Sequence, residues 1–354
     1  MAPAKLRVAV IGAGFIGRDH LAAYRHRPDV ELVGVADSSM ATAEAAATEV
    51  GARAYADHRS MLAAEHPDAV SICVPTALHL PVTEDVAAAG AHVLLEKPMA
   101  ASVAECDAIG AACERAGIAL MVGFTHRFHR ELIEAKRLIS EGAIGPPSLA
   151  QDLFSFGENA PWPGWYYERS LSGGGELMHD AVHLVDRLSW LIDSPIVEVF
   201  GRTTSYARDI DGVEDGGVAV LRFASGAVAS LFVNQSTYPL RADAPSVPMP
   251  GRCELEIHGP RGSIRYRTWH ELIVDLAGQP SRTVSGVKRD EMRREIDEFL
   301  GAIREHRAPS VGWQEGRRGI AVVQAIYRSN AAGRPVSVDE PEGHQPSNEA
   351  SASV

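Results

Sequence analysis

Two hydrophobic patterns divide the chain. Over the first 122 residues, short apolar runs alternate with longer stretches of helical spacing. The runs LRVAVIG (6–12), VELVGVAD (30–37), AVSICV (69–74), HVLLE (92–96) and ALMVGF (119–124) read as buried strands. Between them, helices are expected in FIGRDHLAAYRHR, in the alanine-rich stretch from Met40, and at 79–89 and 102–116. This alternation predicts a doubly wound parallel sheet with helices on both faces, an α/β domain over residues 1–124.

The pattern then changes. Residues 127–141 read as a helix ending at Gly142, and a second helix starts near Gly175. Strand-like runs lie near 148–156, 196–206, 213–223, 227–235, 252–258 and 262–275, some separated by turns such as Ser225-Gly226. Strand after strand without intervening helices predicts a large open, mainly antiparallel sheet in a second, α+β domain over 125–338. Helices are expected at 288–306 and 313–332, and the polar tail 339–354 is expected to be disordered.

A chain of 354 residues has room for both domains, and its 45% hydrophobic and 23% charged content is ordinary for a globular protein. No apolar run approaches about 18 residues, so no membrane span is expected. The N-terminal apolar run lacks a signal-type cleavage site, which leads to an expected cytoplasmic location. The net charge of -12, with no basic patch, argues against nucleic acid. Cys73, Cys106, Cys113 and Cys253 are scattered and read as reduced.

Chemistry enters at Gly12-Ala13-Gly14-Phe15-Ile16-Gly17, between the first strand and the first helix. There a GxGxxG loop is informative: Gly12 for the tight turn, Gly14 for approach of a pyrophosphate, Gly17 for close helix–strand packing. The helix N-terminus, at Phe15 and Ile16, favours the phosphates. Asp37 ends the second strand, where a carboxylate accepts from ribose hydroxyls and repels a 2′-phosphate. No arginine follows at Ser38 or Ser39, so NAD is expected in preference to NADP.

The second candidate stretch is GGGELMHDAVHLVD, 173–186. At 100° per residue, Leu177, Met178, Ala181, Val182, Leu184, Val185 and Leu188 form an apolar arc. Glu176, His179, Asp180, His183, Asp186, Arg187 and Trp190 gather opposite, with His179, His183 and Asp186 in line. Asp180 is expected to point about 100° away from His179. Three readings stand: a solvated face, a His-x-x-x-His metal pair lacking a third ligand, or the wall of a substrate pocket.

Together with the glycine loop, VPTALH (74–79), GAHVLLEKPMA (90–100), GFTHRF (123–128) and the glycine-rich stretch resemble the Gfo/Idh/MocA oxidoreductase family from about residue 5 to about 337. The family includes inositol dehydrogenases and glucose–fructose oxidoreductase. The resemblance implies a Rossmann domain joined to an open-sheet domain, assembly as homodimers or homotetramers, and redox chemistry on sugars and polyols. Glu96-Lys97-Pro98 is its most specific mark, at a strand's C-terminal end, where open α/β sheets place ligands. Lys97 is expected to hold the reacting oxygen. Pro75, Thr76 and His79 should border the nicotinamide, with packing at a helix start the alternative for His79. Arg127 matches a family arginine near the substrate mouth, the alternative being a pair with a surface acid. His183 falls on the family's proton-transfer histidine. His179 falls where the family has an aspartate; the exchange is expected to deprive Lys97 of a counter-charge and lower its pKa, with His179 positioning substrate or sharing the proton relay. Asp186 is a further candidate for a substrate hydroxyl, and Trp165 and Tyr166, beside Trp162 and Tyr167, suit a sugar-like ligand or core packing. The expected activity is hydride transfer between NAD and a secondary alcohol without a metal. Rivals are the family's non-redox, NAD-dependent glycosidases, its non-catalytic NAD-responsive regulators, and a metal enzyme built on the two histidines.

Overall fold

The computed structural model describes residues 5–156, 162–206, 210, 212–235, 251–268, 270–285 and 289–339. The expected disordered tail therefore lies, from residue 340 on, outside the described residues. The apolar runs of the first half become β1 (Leu6–Ile11), β2 (Val30–Ala36), β3 (Arg53–Tyr55), β4 (Ala69–Ile72), β5 (His92–Leu95) and β6 (Leu120–Val122). They form one parallel sheet in the order β3-β2-β1-β4-β5-β6. The order reverses beside β1, which opens the crevice where such sheets bind ligands. The runs are continuous because the inner strands are buried on both faces: β4 is buried at every position.

The intervening helices are α1 (Phe15–Arg25), α2 (Met40–Val50), α3 (His58–Glu65), α4 (His79–Ala88) and α5 (Val103–Ala116). Side chains at their starts fix three of them: Ser39, Asp57 and Ser102 each accept from a backbone N–H three residues on.

The second half contains α6 (Arg130–Ser140), β7 (Leu149–Phe156), α7 (Arg169–Ser172), α8 (Val182–Ile192), β8 (Ile196–Thr204), β9 (Gly216–Phe223), β10 (Val228–Asn234), β11 (Gly251–Gly259), β12 (Gly262–Arg267), β13 (Glu271–Leu276), β14 (Arg282–Ser285), α9 (Glu291–Glu305), α10 (Trp313–Ala332) and β15 (Val336–Ser337). Its nine-stranded sheet runs β14-β13-β12-β11-β7-β10-β9-β8-β15 and is antiparallel except between β7 and β10. One face packs on the helices. Along β9 exposed and buried positions alternate from Val218 to Phe223.

The run read as one strand over 262–275 is a hairpin, β12 and β13, and β3, β14 and β15 went unread because two to four residues carry too little periodicity. The helix read from 127 begins as a 3-10 turn at Thr125–Phe128, and α6 starts only at Arg130. No helix among the described residues is long and apolar enough to cross a membrane.

Candidate active site

The crevice beside β1 is shaped by its glycines. Gly12 has φ +91°, and a Cβ there would lie 2.4 Å from the carbonyl oxygen of Cys73. A Cβ on Gly17 would lie 1.9 Å from the oxygen of Gly12, so α1 starts hard against the loop. Gly14 faces open space instead. Phe15 and Ile16 begin α1, whose first N–H groups have no intrahelical acceptor. Asp37 accepts from the N–H of Ala13 at 2.9 Å and from that of Ser39 at 2.9 Å, and each carboxylate oxygen keeps a further lone pair.

Beyond β4, Pro75 precedes a 3-10 turn at Thr76–Leu78. Thr76 is buried, and its hydroxyl has no partner among the described residues. An open Gly14, a helix N-terminus and an orphaned hydroxyl fit a dinucleotide laid along this edge. His79 is placed otherwise. Its ring nitrogens lie 3.2 Å from the Met99 oxygen and 2.9 Å from the Val74 oxygen, so it braces the two loops from within.

Lys97 leaves the end of β5. Glu96 steadies it: one carboxylate oxygen accepts from the Lys97 N–H at 3.1 Å and the other lies 3.0 Å from Nε2 of buried His20. The Lys97 ammonium donates to the carbonyl of His179 at 2.8 Å and lies 3.4 Å from Oδ1 of Asp180. This corrects the expectation that Asp180 points away. Residues Leu177–Ala181 form a π-turn ahead of α8. Its i→i+5 ring holds an extra residue, so the uniform 100° step fails and Asp180 comes round to the lysine. Lys97 therefore has its counter-charge. Burial disfavours the ammonium, but Asp180, Tyr166 and Glu96 outweigh it and hold its pKa above the ordinary lysine value, opposite to the expected lowering.

The helix after the π-turn has no solvated polar face: every residue from Val182 to Leu188 is buried. Its polar groups pair instead. The His183 ring stacks on His126 at 4.1 Å and meets the edge of Phe124 at 5.8 Å. Its Nδ1 has no partner among the described residues. Burial, then the charges of Lys97 and Arg187, hold its pKa well below the ordinary histidine value, so it is neutral at physiological pH. His179 stacks instead on Tyr166 at 4.1 Å, with Trp165 edge-on at 6.0 Å. The π-turn thus sends the two histidines to different aromatic partners. Among the described residues no group of three or more His, Cys, Asp or Glu side chains is placed to hold a metal ion.

Arg127 and Asp186 are committed to each other. The guanidinium donates to both carboxylate oxygens at 2.8 and 2.6 Å. The acid is thus buried rather than at the surface. The pair lines a cavity of about 220 Å³ with Trp190, Glu315 and Arg318, which includes neither Lys97 nor His183. Arg187, fully buried, donates to both oxygens of fully buried Asp152.

Two family models match the chain. One, described as an oxidoreductase family with an NAD-binding Rossmann fold, covers residues 6–124. The other, the GFO/IDH/MocA C-terminal domain, covers 132–265. The chain belongs to the Gfo/Idh/MocA oxidoreductase family. Among its relatives, inositol 2-dehydrogenase of Rhizobium meliloti is 28% identical over 94% of this chain and 99% of its own. D-xylose 1-dehydrogenase (NADP(+)) 2 of Haloferax volcanii is 29% identical over 93% of this chain and 99% of its own. The structure of levoglucosan dehydrogenase in complex with NADH superposes with a TM-score of 0.86 at 26% identity, covering 95% of this chain and 100% of that one.

In this Gfo/Idh/MocA chain the sequence reading missed two parts of the site. His126, stacked on His183, lies in the GFTHRF segment that carried the resemblance, one residue before the arginine chosen from it. Asp180 was visible but assigned the wrong direction. The signal available was an acid beside His179 with no other partner in sequence; the π-turn was not legible.

Proposed function

We propose that this oxidoreductase transfers hydride reversibly between NAD and a secondary alcohol carbon of a polyol, sugar or sugar derivative. The observation carrying this reading is the convergence of cationic Lys97, its partner Asp180 and neutral His183 beside the nucleotide crevice. Gly12, Gly14 and Gly17, the start of α1, Asp37 and Thr76 would hold the dinucleotide. Bound NAD+ supplies the hydride acceptor. Lys97 steadies the hydroxyl oxygen as negative charge develops on it, Asp180 keeps the lysine charged, and His183 takes the hydroxyl proton. His179, Trp165 and Tyr166 form an aromatic wall suited to the apolar face of a sugar ring. The reading is tested by screening polyols and sugars with NAD+ and following reduced-nicotinamide absorbance. If none reduces NAD+ and no ketose oxidises NADH, the reading fails.

A neutral base sets a pH dependence. Because the His183 pKa is depressed, the base stays unprotonated down to pH values below about 6.5, so the acid limb of kcat/KM for oxidation lies below that value. His183→Ala should lower kcat/KM about 10²–10⁴-fold and abolish that limb. An unchanged limb in the variant would assign the base elsewhere.

NAD is preferred over NADP in this reading because the Asp37 carboxylate faces the ribose position without an arginine at 38 or 39. Fluorescence titration should give a lower Kd for NADH than for NADPH; the reverse order would overturn the assignment.

The free face of the nine-stranded sheet supports assembly as a homodimer or homotetramer. Phe200, Val218, Val220, Phe232 and Leu149 are exposed there on paired strands, an apolar set of the kind found at interfaces between copies. Sedimentation equilibrium should show a multimer that Val220→Asp dissociates; a monomeric wild type would end this part.

A further inference from the structure

α1 carries two polar side chains on the face it packs against the sheet. The buried residues of that face are Gly17, His20, Leu21 and Tyr24, and the proposed hydride transfer uses neither His20 nor Tyr24. A leucine would satisfy the same spacing, so a histidine with 0% exposure calls for partners that offset its burial.

His20 has them on both sides of its ring. Nε2 lies 3.0 Å from Oε1 of Glu96, and Nδ1 lies 3.1 Å from Oγ of Ser71. The Tyr24 hydroxyl lies 3.0 Å from the same Oγ. The other Glu96 oxygen, Oε2, accepts from the Lys97 N–H at 3.1 Å. These bonds join α1, β4 and the end of β5 in one chain that runs from Tyr24 to the backbone of Lys97. Serine, histidine and a carboxyl in this order also make up nucleophilic triads. Here Ser71 and His20 are fully buried and Glu96 is 7% exposed, so no substrate reaches the hydroxyl.

The chemistry of the partners sets the hydrogens. Glu96 Oε1 offers lone pairs, so Nε2 supplies the hydrogen between them. With hydrogen on Nδ1 alone, two lone pairs would face each other 3.0 Å apart in a dry interior. Nδ1 then accepts from the Ser71 O–H, and Ser71 Oγ accepts from the Tyr24 O–H. Each donor is used once, and every hydrogen points along the chain toward Glu96. A Cβ on Gly123 would lie 3.0 Å from the same Glu96 oxygen, so the segment after β6 crowds the carboxyl as well.

We propose that His20 is a positioning residue for Lys97: with its hydrogen on Nε2, it holds the Glu96 carboxyl where Oε2 receives the Lys97 N–H, and so sets the root of the side chain that reaches the π-turn. The inference rests on the reading of Lys97 as the oxygen-holding cation. The ammonium at the far end of that side chain meets the His179 carbonyl at 2.8 Å, so a displaced backbone at Lys97 carries the cation off the reacting oxygen.

Two measurements test it. In cofactor-free protein with isotope-labelled histidine, long-range proton–nitrogen correlation NMR reads the His20 ring, assigned by its loss in His20→Gln. The expected spectrum has hydrogen on Nε2 and none on Nδ1; hydrogen on Nδ1 overturns the proposal. The second measurement is kinetic, on the best substrate of the screen. His20→Leu leaves Glu96 without that donor and should lower kcat about 10- to 100-fold while the Kd for NADH stays near that of wild type. His20→Gln places an amide N–H near the Nε2 position and should restore most of kcat. A wild-type kcat in His20→Leu, a matching loss of NADH affinity, or a His20→Gln as slow as His20→Leu overturns it. The NMR readout uses neither NAD nor substrate, and Lys97→Ala separates the two claims. Normal turnover in Lys97→Ala ends the reading of the lysine; lost turnover there beside a wild-type kcat in His20→Leu ends only the role of His20.

Discussion

Lys97→Ala is expected to abolish turnover for practical purposes while NADH still binds. The lysine offers its charge where the alcohol oxygen gains negative character, and such preorganised stabilisation is worth about 10²–10³-fold or more in kcat. The loss should fall on kcat, because the ammonium bonds the His179 carbonyl and Asp180 and not the glycine loop, the start of α1, Asp37 or Thr76. Steady-state kinetics on the best substrate of the screen, with an NADH fluorescence titration, separates the two. Near-normal kcat would remove Lys97 from the mechanism; lost NADH binding would make it a cofactor residue. Arginine should not rescue, since a planar guanidinium cannot take the place of a compact ammonium between Asp180 and the His179 carbonyl.

Asp152→Ala should destabilise the protein by about 3–5 kcal/mol, the cost of leaving one member of a buried ion pair uncompensated. Both Asp152 and Arg187 are fully buried, and the guanidinium engages both carboxylate oxygens. The pair ties β7 to α8, the helix that carries His183. Arg187 also adds to the field that keeps His183, His126 and His129 unprotonated, with His129 brought down to about 3 chiefly by burial. Urea denaturation of wild type and variant measures the effect. A double replacement, Asp152→Leu with Arg187→Met, should cost much less than the single one, because it removes the stranded charge with its partner. A single variant as stable as wild type would show that water or another group compensates Arg187.

Much of this was legible in the sequence for identifiable reasons. The Rossmann strands are apolar on both faces, so LRVAVIG and HVLLE announce themselves, and the 313–332 helix is bounded by Gly312 and Gly333. The glycine loop was readable because its steric demands are local: Gly12 needs its positive φ and Gly17 its missing Cβ. The stretch at 173–186 was legible in composition but not in geometry. A uniform helical wheel gathers its polar residues on one face and suggests solvent, whereas three of them form ion pairs within the protein. Arg187 finds Asp152, Asp186 finds Arg127, and Asp180 finds Lys97, each partner from a different element. No local period encodes partners that far apart. The π-turn at Leu177–Ala181 then breaks the phase itself, which is why His179 was placed in line with His183 and Asp180 was turned away.

The most direct measurement is a crystal structure of the protein with NADH and the polyol or sugar that performs best in the screen. The account predicts one ligand hydroxyl within hydrogen-bond distance of both Lys97 Nζ and a ring nitrogen of His183, its carbon facing the nicotinamide. A ligand bound in the Arg127–Asp186 cavity, or one that meets His183 but lies out of reach of Lys97, would contradict it.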